Sequence, residues 1–176
     1  TINIPLKYLK DNKENFVKFI VDSLPENSDL IILDHISSQS CINLPLRELI
    51  NSIRKKFEEK NKNVLILVDG AHAPGSIKIN LDELDCDFYL GNLHKWMCST
   101  RGGAFMYAKK THLGSIRGAI VSHGHANKEN SLESFYWDGN KDYSGFLGVI
   151  RTLDIWEILE KKDIYNLFYI TITVRF

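Results

Sequence analysis

Two residues of complementary chemistry stand 26 positions apart near the middle of this 176-residue chain. Asp69 closes the apolar run Val64-Leu65-Ile66-Leu67-Val68, and Lys95 follows Phe88-Tyr89-Leu90 through Gly91-Asn92-Leu93-His94. Both runs read as short strands, so the acid and the amine each fall at a strand end. A carboxylate and a lysine so placed are what a pyridoxal phosphate (PLP) site requires. The acid holds the protonated pyridine nitrogen through a charge-assisted bond, and the lysine forms a Schiff base with the aldehyde. A lysine ammonium, with an ordinary pKa of about 10.4, is not a nucleophile. Partial burial or a neighbouring cation frees the amine, which can afterwards move the α-proton of an amino-acid substrate.

The residues around this pair extend the same chemistry. Asn92 and His94 alternate ahead of Lys95, so in an extended segment they share a face and both could donate to a phosphate. His72, three residues after Asp69, could reach the cofactor's phenolic oxygen. Taken singly, Asp69 reads as a turn or cap residue, Lys95 as a surface lysine and each histidine as a structural one. Their clustering is what argues for a site. A metal centre built from His94, His112, His123 and His125 finds no support, because no cysteine or carboxylate lies at a ligand spacing. Gly102-Gly103 is not followed by the lysine and Ser/Thr of a P-loop.

Alternating elements must position these groups. Apolar residues Phe16, Val17, Phe19, Ile20 and Leu24 have helical spacing over Asn15 to Leu24, which Pro25-Glu26-Asn27-Ser28 breaks. Leu30-Ile31-Ile32-Leu33 reads as a strand buried on both faces. Leu46, Leu49, Ile50, Ile53 and Phe57 predict an amphipathic helix entered through Pro45. Ala104 to Tyr107 is a fourth strand, and Ser144 to Leu159 a last long helix with Phe146, Leu147, Val149, Ile150, Leu153 and Ile158 on one side. Strands alternating with helices predict an α/β, three-layer αβα fold with a mainly parallel sheet. Ligands of such sheets sit at the carboxyl ends of strands, where Asp34, Asp69 and Gly91 fall.

Composition narrows the function classes. Lysine plus arginine balance aspartate plus glutamate at 22 each, and no basic aromatic-rich stripe is present, so neither nucleic acid nor an anionic membrane is an expected partner. Cys41, Cys86 and Cys98 form no disulfide framework or C-x-x-C knuckle. No apolar run approaches the ~20 residues of a membrane span, and a cytoplasmic setting is the expectation. The chain begins at Thr1 and ends in the β-prone Phe168-Tyr169-Ile170-Thr171-Ile172-Thr173-Val174-Arg175-Phe176, which suggests a fragment or an altered C-terminus.

Val68-Asp69-Gly70-Ala71-His72-Ala73-Pro74-Gly75 followed by Asp87-Phe88-Tyr89-Leu90-Gly91-Asn92-Leu93-His94-Lys95-Trp96 resembles the class V aminotransferase superfamily of fold-type-I PLP enzymes. The similarity is to the branch containing isopenicillin-N-epimerase-like and cysteine-desulfhydrase-like members. Asp34-His35-Ile36-Ser37-Ser38, Ser122-His123-Gly124 and Trp137-Asp138-Gly139-Asn140-Lys141-Asp142 resemble further blocks of that branch, and together they cover about Asp29 to Leu159.

The resemblance implies a PLP-binding large domain. Asp69 would hold the pyridine nitrogen, His72 the phenolic oxygen side and Lys95 the Schiff base, with Asn92 and His94 near the phosphate. Asn140 stands where relatives have a threonine whose hydroxyl reaches the phosphate of a neighbouring subunit, so a homodimer is implied for the full-length protein. Thr100-Arg101-Gly102 replaces a Pro-Lys-Gly of relatives. Relatives also carry an upstream phosphate loop and a small C-terminal domain. The expected organisation is therefore residues 1–160 as a partial large domain and 161–176 as an atypical tail. The expected function is PLP-dependent lyase or epimerase chemistry on an amino acid, the alternative being a catalytically inactive remnant that serves as a binding module.

Overall fold

The computed structural model describes residues 1–9, 12–127 and 131–161. The β-prone tail singled out above lies outside the described residues. The elements in chain order are α1 (Leu6–Leu9), α2 (Lys13–Ser23), β1 (Leu30–Asp34), α3 (Leu46–Glu58), β2 (Leu65–Asp69), α4 (Leu81–Leu84), β3 (Phe88–Asn92), β4 (Ala104–Ala108), two short 3-10 turns (Lys110–His112 and Ser131–Phe135) and α5 (Ser144–Lys161).

The four strands form one sheet in the order β1-β2-β3-β4. The first two pairings are parallel and the last is antiparallel, so the sheet is mixed and mostly parallel. Parallel strands need a crossover, and α3 and α4 supply the two that are present. The β3–β4 link is only the loop 93–103, too short for a crossover helix, so β4 runs back along β3. Lys95 sits in that return loop.

The core lies on one face of the sheet. Leu46, Leu49, Ile50, Ile53 and Phe57 of α3 and Phe16, Val17 and Ile20 of α2 close over Ile31, Leu33, Ile66, Val68 and Tyr89. Strand residues alternate accordingly. Ile66 and Val68 are fully buried, whereas Leu30 and Ile32 on the other face are 47% and 62% exposed. Leu90 and Met106 share that open face. This corrects the expectation that β1 is buried on both faces: a continuous apolar run permits a second covering layer, but the described residues place helices α2 and α3 on one face only. Asp34 and Asp69 belong to the alternate positions of the open face and stand side by side in the parallel register.

The amino end of the β2–β3 pair is tied by a polar knot remote from those carboxylates. Buried Asp87 accepts the Ile66 N–H at 2.7 Å, Arg54 Nη2 at 2.6 Å and His112 Nε2 at 2.9 Å. Burial by itself would raise this carboxyl, but the bonds from Arg54, Ile66 and His112 outweigh it and hold Asp87 below the ordinary carboxylate range. Among the described residues, no helix is long and apolar enough to cross a membrane.

Candidate active site

The carboxyl ends of β1, β2 and β3 each deliver a polar group. Strand β2 ends in Asp69, whose Oδ1 accepts the Ala71 N–H at 2.9 Å, a short turn that orients the carboxylate. Its second oxygen has no protein partner among the described residues. The backbone beneath is fully satisfied, since the His35 N–H donates to Asp69 O and the Gly70 N–H to Leu90 O, both at 2.8 Å.

Under this turn lies a buried pair, His35 Nδ1 and Tyr89 Oη at 2.8 Å. A Cβ on Gly70 would come within 2.2 Å of the Tyr89 ring, so the turn rests directly on that side chain. Burial pushes His35 down to about 4, leaving a neutral imidazole. Burial, with smaller effects from Cys86 and Asp69, raises Tyr89 and keeps its hydroxyl protonated. The turn that follows Asp69 thus rests, at Gly70, on an uncharged, hydrogen-bonded pair.

The loop after β3 brings in the amine. Leu93 N–H donates to Gly103 O at 3.0 Å, Ser99 N–H to Leu93 O at 2.9 Å and Cys98 N–H to Lys95 O at 3.0 Å, folding the loop into a compact turn. Helix α5 braces it from outside. Trp156 Nε1 donates to Met97 O at 2.9 Å, and Thr100 Oγ1 donates to Gly145 O at 3.1 Å. The Thr100 that departs from the relatives' Pro-Lys-Gly is thereby used to dock the loop on α5. On the inner side, the turn 70–75 is pressed against the same loop at Gly75, whose φ is +84°. A Cβ there would lie 2.5 Å from the Trp96 carbonyl carbon and oxygen.

This clamp brings Lys95 Nζ to 3.1 Å from His72 Nε2. Trp96 Nε1 donates to the other ring nitrogen, Nδ1, at 3.4 Å. Lys95 and His72 are half-buried and Trp96 is more open. Lys95 is thereby brought against His72, which follows Asp69 by three residues in the turn after β2.

The remaining expected residues are placed less uniformly. Asn92 is the last residue of β3, half-buried, with no side-chain hydrogen bond among the described residues. His94 does not continue the alternation from Asn92. The strand ends at Asn92, the chain bends, and His94 Nδ1 lies 3.3 Å from Gly103 O, which fixes it as the donor. That ties the imidazole to the start of β4 and leaves Nε2 uncommitted. Asn140 is solvent-exposed in the loop before α5 and makes no bond to Asp69, His72 or Lys95.

Two groups went unassigned in the sequence. Asp34 ends β1 beside Asp69, and partial removal from water, then the charge of Asp69, holds its carboxyl above the ordinary range, with His72 pulling the other way. The matched endings Leu-Ile-Ile-Leu-Asp and Leu-Ile-Leu-Val-Asp carried that signal. Trp96 was read only as a neighbour of Lys95, and no spacing rule could have linked it to His72. Among the described residues, no group of three or more His, Cys, Asp or Glu could hold a metal ion.

The donor set suits PLP. It offers a carboxylate oxygen with no protein partner among the described residues for a ring nitrogen, an amine for an aldehyde with an imidazole against it, and the uncommitted Asn92 amide for a phosphate. His94 could add Nε2 there only as an imidazolium, since its Nδ1–H is given to Gly103 O.

Comparison with known proteins agrees. The model of the family "Aminotransferase class-V" matches residues 2–154. An L-cysteine desulfhydrase of Arabidopsis thaliana is 40% identical over 126 residues, covering 71% of this chain and 26% of the relative. The isopenicillin N epimerase of Amycolatopsis lactamdurans is 29% identical over 88% of this chain and 40% of its own length. The chain thus spans about a quarter to two-fifths of these curated relatives. Among solved structures, the cystine C-S lyase C-DES in complex with its reaction product cysteine persulfide superposes with a TM-score of 0.64 at 24% identity, over 80% of this chain and 38% of that one. A C-DES mutant with glycine covalently linked to its PLP cofactor gives 0.65 at 22% identity, with the same coverage of each chain. The mixed, mostly parallel sheet is therefore that of fold-type-I enzymes, and the chain belongs to the PLP-dependent class V aminotransferase family.

Proposed function

We propose that this chain is the Lys95-bearing large-domain portion of a PLP-dependent lyase that acts on a sulfur-containing amino acid. The observation that carries the reading is the 3.1 Å contact between Lys95 Nζ and His72 Nε2, three residues from the strand-end carboxylate Asp69. PLP, when bound, supplies an electron sink that acidifies the Cα–H of an amino acid attached to it.

The chain's own residues do the rest. Asp69, oriented by the Ala71 N–H, would hold the ring nitrogen of the cofactor and keep a proton on it. His72 would donate toward the phenolic oxygen, and Asn92 would be the donor to the phosphate, joined by His94 Nε2 only as an imidazolium because its Nδ1–H is given to Gly103 O. Lys95 Nζ would be the amine that holds the aldehyde and, when free, the group that carries a proton to or from the substrate Cα. Loss of the group on Cβ would mark a lyase, and return of the proton to the opposite face an epimerase.

The choice of lyase rests on the name of the 40%-identical desulfhydrase, and the name of the epimerase supports the other outcome. Asn140, exposed ahead of α5, is suited to serve a second subunit, which supports a homodimer for the full-length protein. A cytoplasmic setting remains part of the proposal.

The test is a visible absorbance spectrum of the 176-residue chain with added PLP, before and after borohydride, followed by peptide mass mapping. The expected result is a reducible band and a pyridoxyl mass on the Lys95 peptide. A band whose label maps to another lysine would overturn the assignment. Sulfide release from cysteine by the PLP-loaded full-length protein would select the lyase, and loss of optical activity without sulfide would select the epimerase.

A further inference from the structure

From the two contacts on opposite sides of the His72 ring, we infer that Trp96 is a positioning residue that locks His72 as the Nε2–H tautomer. An indole N–H only donates, so His72 Nδ1, 3.4 Å away, must accept. A neutral imidazole carries one proton, and with Nδ1 accepting, that proton resides on Nε2. His72 therefore presents an N–H, not a lone pair, to Lys95 Nζ at 3.1 Å.

The alternatives each bring two like groups together. A Lys95 ammonium donating to Nε2 would move the imidazole proton to Nδ1, where it would oppose the indole N–H. A doubly protonated His72 would set its Nδ1–H against the indole N–H. The arrangement that gives the indole N–H an acceptor has Trp96 donating to His72 Nδ1 and the single imidazole proton on Nε2, turned toward Lys95 Nζ.

The backbone makes the lock possible. Gly75 lets the turn carrying His72 approach the Trp96 peptide at a distance no Cβ would tolerate, so Trp96 and Lys95, adjacent in sequence, reach around the same ring from two sides. The consequence for the cofactor rests on the function proposed above. An Nε2–H is what the phenolic oxygen of PLP requires of His72, so the tautomer is set before the cofactor arrives.

The test is a long-range proton–nitrogen NMR correlation of the histidine rings in the cofactor-free 176-residue chain at pH 8, with His72→Phe used for assignment. The wild type should show a pyrrole-type Nε2 and a pyridine-type Nδ1 for His72. Trp96→Phe, which keeps the ring and removes the N–H, should move both toward a tautomer mixture. A wild-type His72 protonated on Nδ1, or a pattern unchanged in Trp96→Phe, would overturn the inference. Should Trp96→Phe fail to fold, the indole resonances decide. In His72→Phe the Trp96 N–H should shift upfield and exchange faster while that of Trp156, bonded to Met97 O, stays put. An indifferent Trp96 N–H would also overturn it.

These readouts need no cofactor, so a chain that takes up no PLP sinks the proposed function alone. With PLP added, Trp96→Phe should bind it roughly three- to tenfold more weakly, the scale of one neutral hydrogen bond, and equal affinity would remove the link to the cofactor.

Discussion

Replacing Gly75 with alanine tests the idea that close contact between two backbones creates the site. Two costs act at this position. The first is conformational, because a φ of +84° puts a side chain in the left-handed region, at about 1–2 kcal/mol. The second is steric, because the new Cβ would lie 2.5 Å from Trp96 carbonyl atoms and 2.6 Å from the Met97 nitrogen. Ordinary contact begins at 3.4 Å, so the turn and the loop must part by roughly 1 Å, and backbone held by Trp156 cannot swing aside as a side-chain tip does. Such overpacking costs a further ~1–3 kcal/mol.

Gly102 is the matched control. Its φ of +95° imposes the same conformational cost, yet a Cβ there meets nothing within 4 Å. Gly102→Ala should therefore lose about 1–2 kcal/mol and Gly75→Ala about 2–5 kcal/mol, or roughly 2–8 °C against 4–20 °C in melting temperature for a domain of this size. Thermal melts of both variants measure the difference. Borohydride labelling of Lys95 with PLP should fall in Gly75→Ala, where Lys95 is moved from His72, and persist in Gly102→Ala. Equal melting shifts together with equal labelling would refute the reasoning, since the contact at Trp96 would then have no energetic weight.

Three other outcomes follow from named contacts. Asp69→Asn, which removes the negative partner of the ring nitrogen, should weaken PLP uptake in an absorbance titration by roughly ten- to a hundredfold, the value of a hydrogen bond to a charged group. Asp87→Asn should lose about 2–4 kcal/mol in urea unfolding, because it strips charge from a buried acceptor of Arg54 and His112. The wild-type contribution of Asp87 is complete above its ordinary value near 4 and disappears as pH falls through its lower native value, a fall that Asp87→Asn should lack. His35 acts in a higher window. Unfolding frees a group that titrates near 6.5 from a fold that holds it at about 4, so stability should decline as pH drops from 6.5 to 4, by roughly 3 kcal/mol, and His35→Gln should flatten that stretch of the profile.

The strands and the helices α2 and α3 were legible because their apolar spacing is set by burial, which the sequence encodes most directly. Helix α5, by contrast, forms although Phe146, Leu147, Ile150, Leu153 and Ile158 along it are exposed among the described residues. The α3 residues Leu46, Leu49, Ile50, Ile53 and Phe57 all lie in the core where their spacing put them. What was not legible depends on partners far along the chain. Leu30-Ile31-Ile32-Leu33 reads alike whether one face or both are covered, and the alternating exposure of β1 among the described residues comes from which face meets α3. The antiparallel direction of β4 is not written in Ala104 to Tyr107 but follows from the short loop before it. His94 illustrates the same limit. Its expected alternation with Asn92 held only as long as the strand did, and the Gly103 carbonyl captured the imidazole one bend later.

The two strand-end carboxylates show why position within the sheet matters more than residue type. Asp34 and Asp69 end identical-looking runs, share the open face and sit in register. Two adjacent carboxylates cannot both keep full charge at no cost, and the surroundings divide the roles. Asp34 has no hydrogen-bond donor among the described residues, and its carboxyl is held above the ordinary range by partial burial and by its neighbour. Asp69 has the Ala71 N–H on one oxygen and is followed by Gly70, which rests on the neutral His35–Tyr89 pair, with His72 three residues on and Lys95 against it. The chain direction settles which acid gets the donor. Of the two strands, β2 is the one followed by the turn 70–75 that doubles back onto the lysine loop, and that turn supplies the Ala71 N–H that orients its carboxylate. The Asp34 carboxylate that remains on the neighbouring strand in Asp69→Asn should therefore not substitute for Asp69, and Asp34→Asn should lower PLP uptake far less than Asp69→Asn in the same titration.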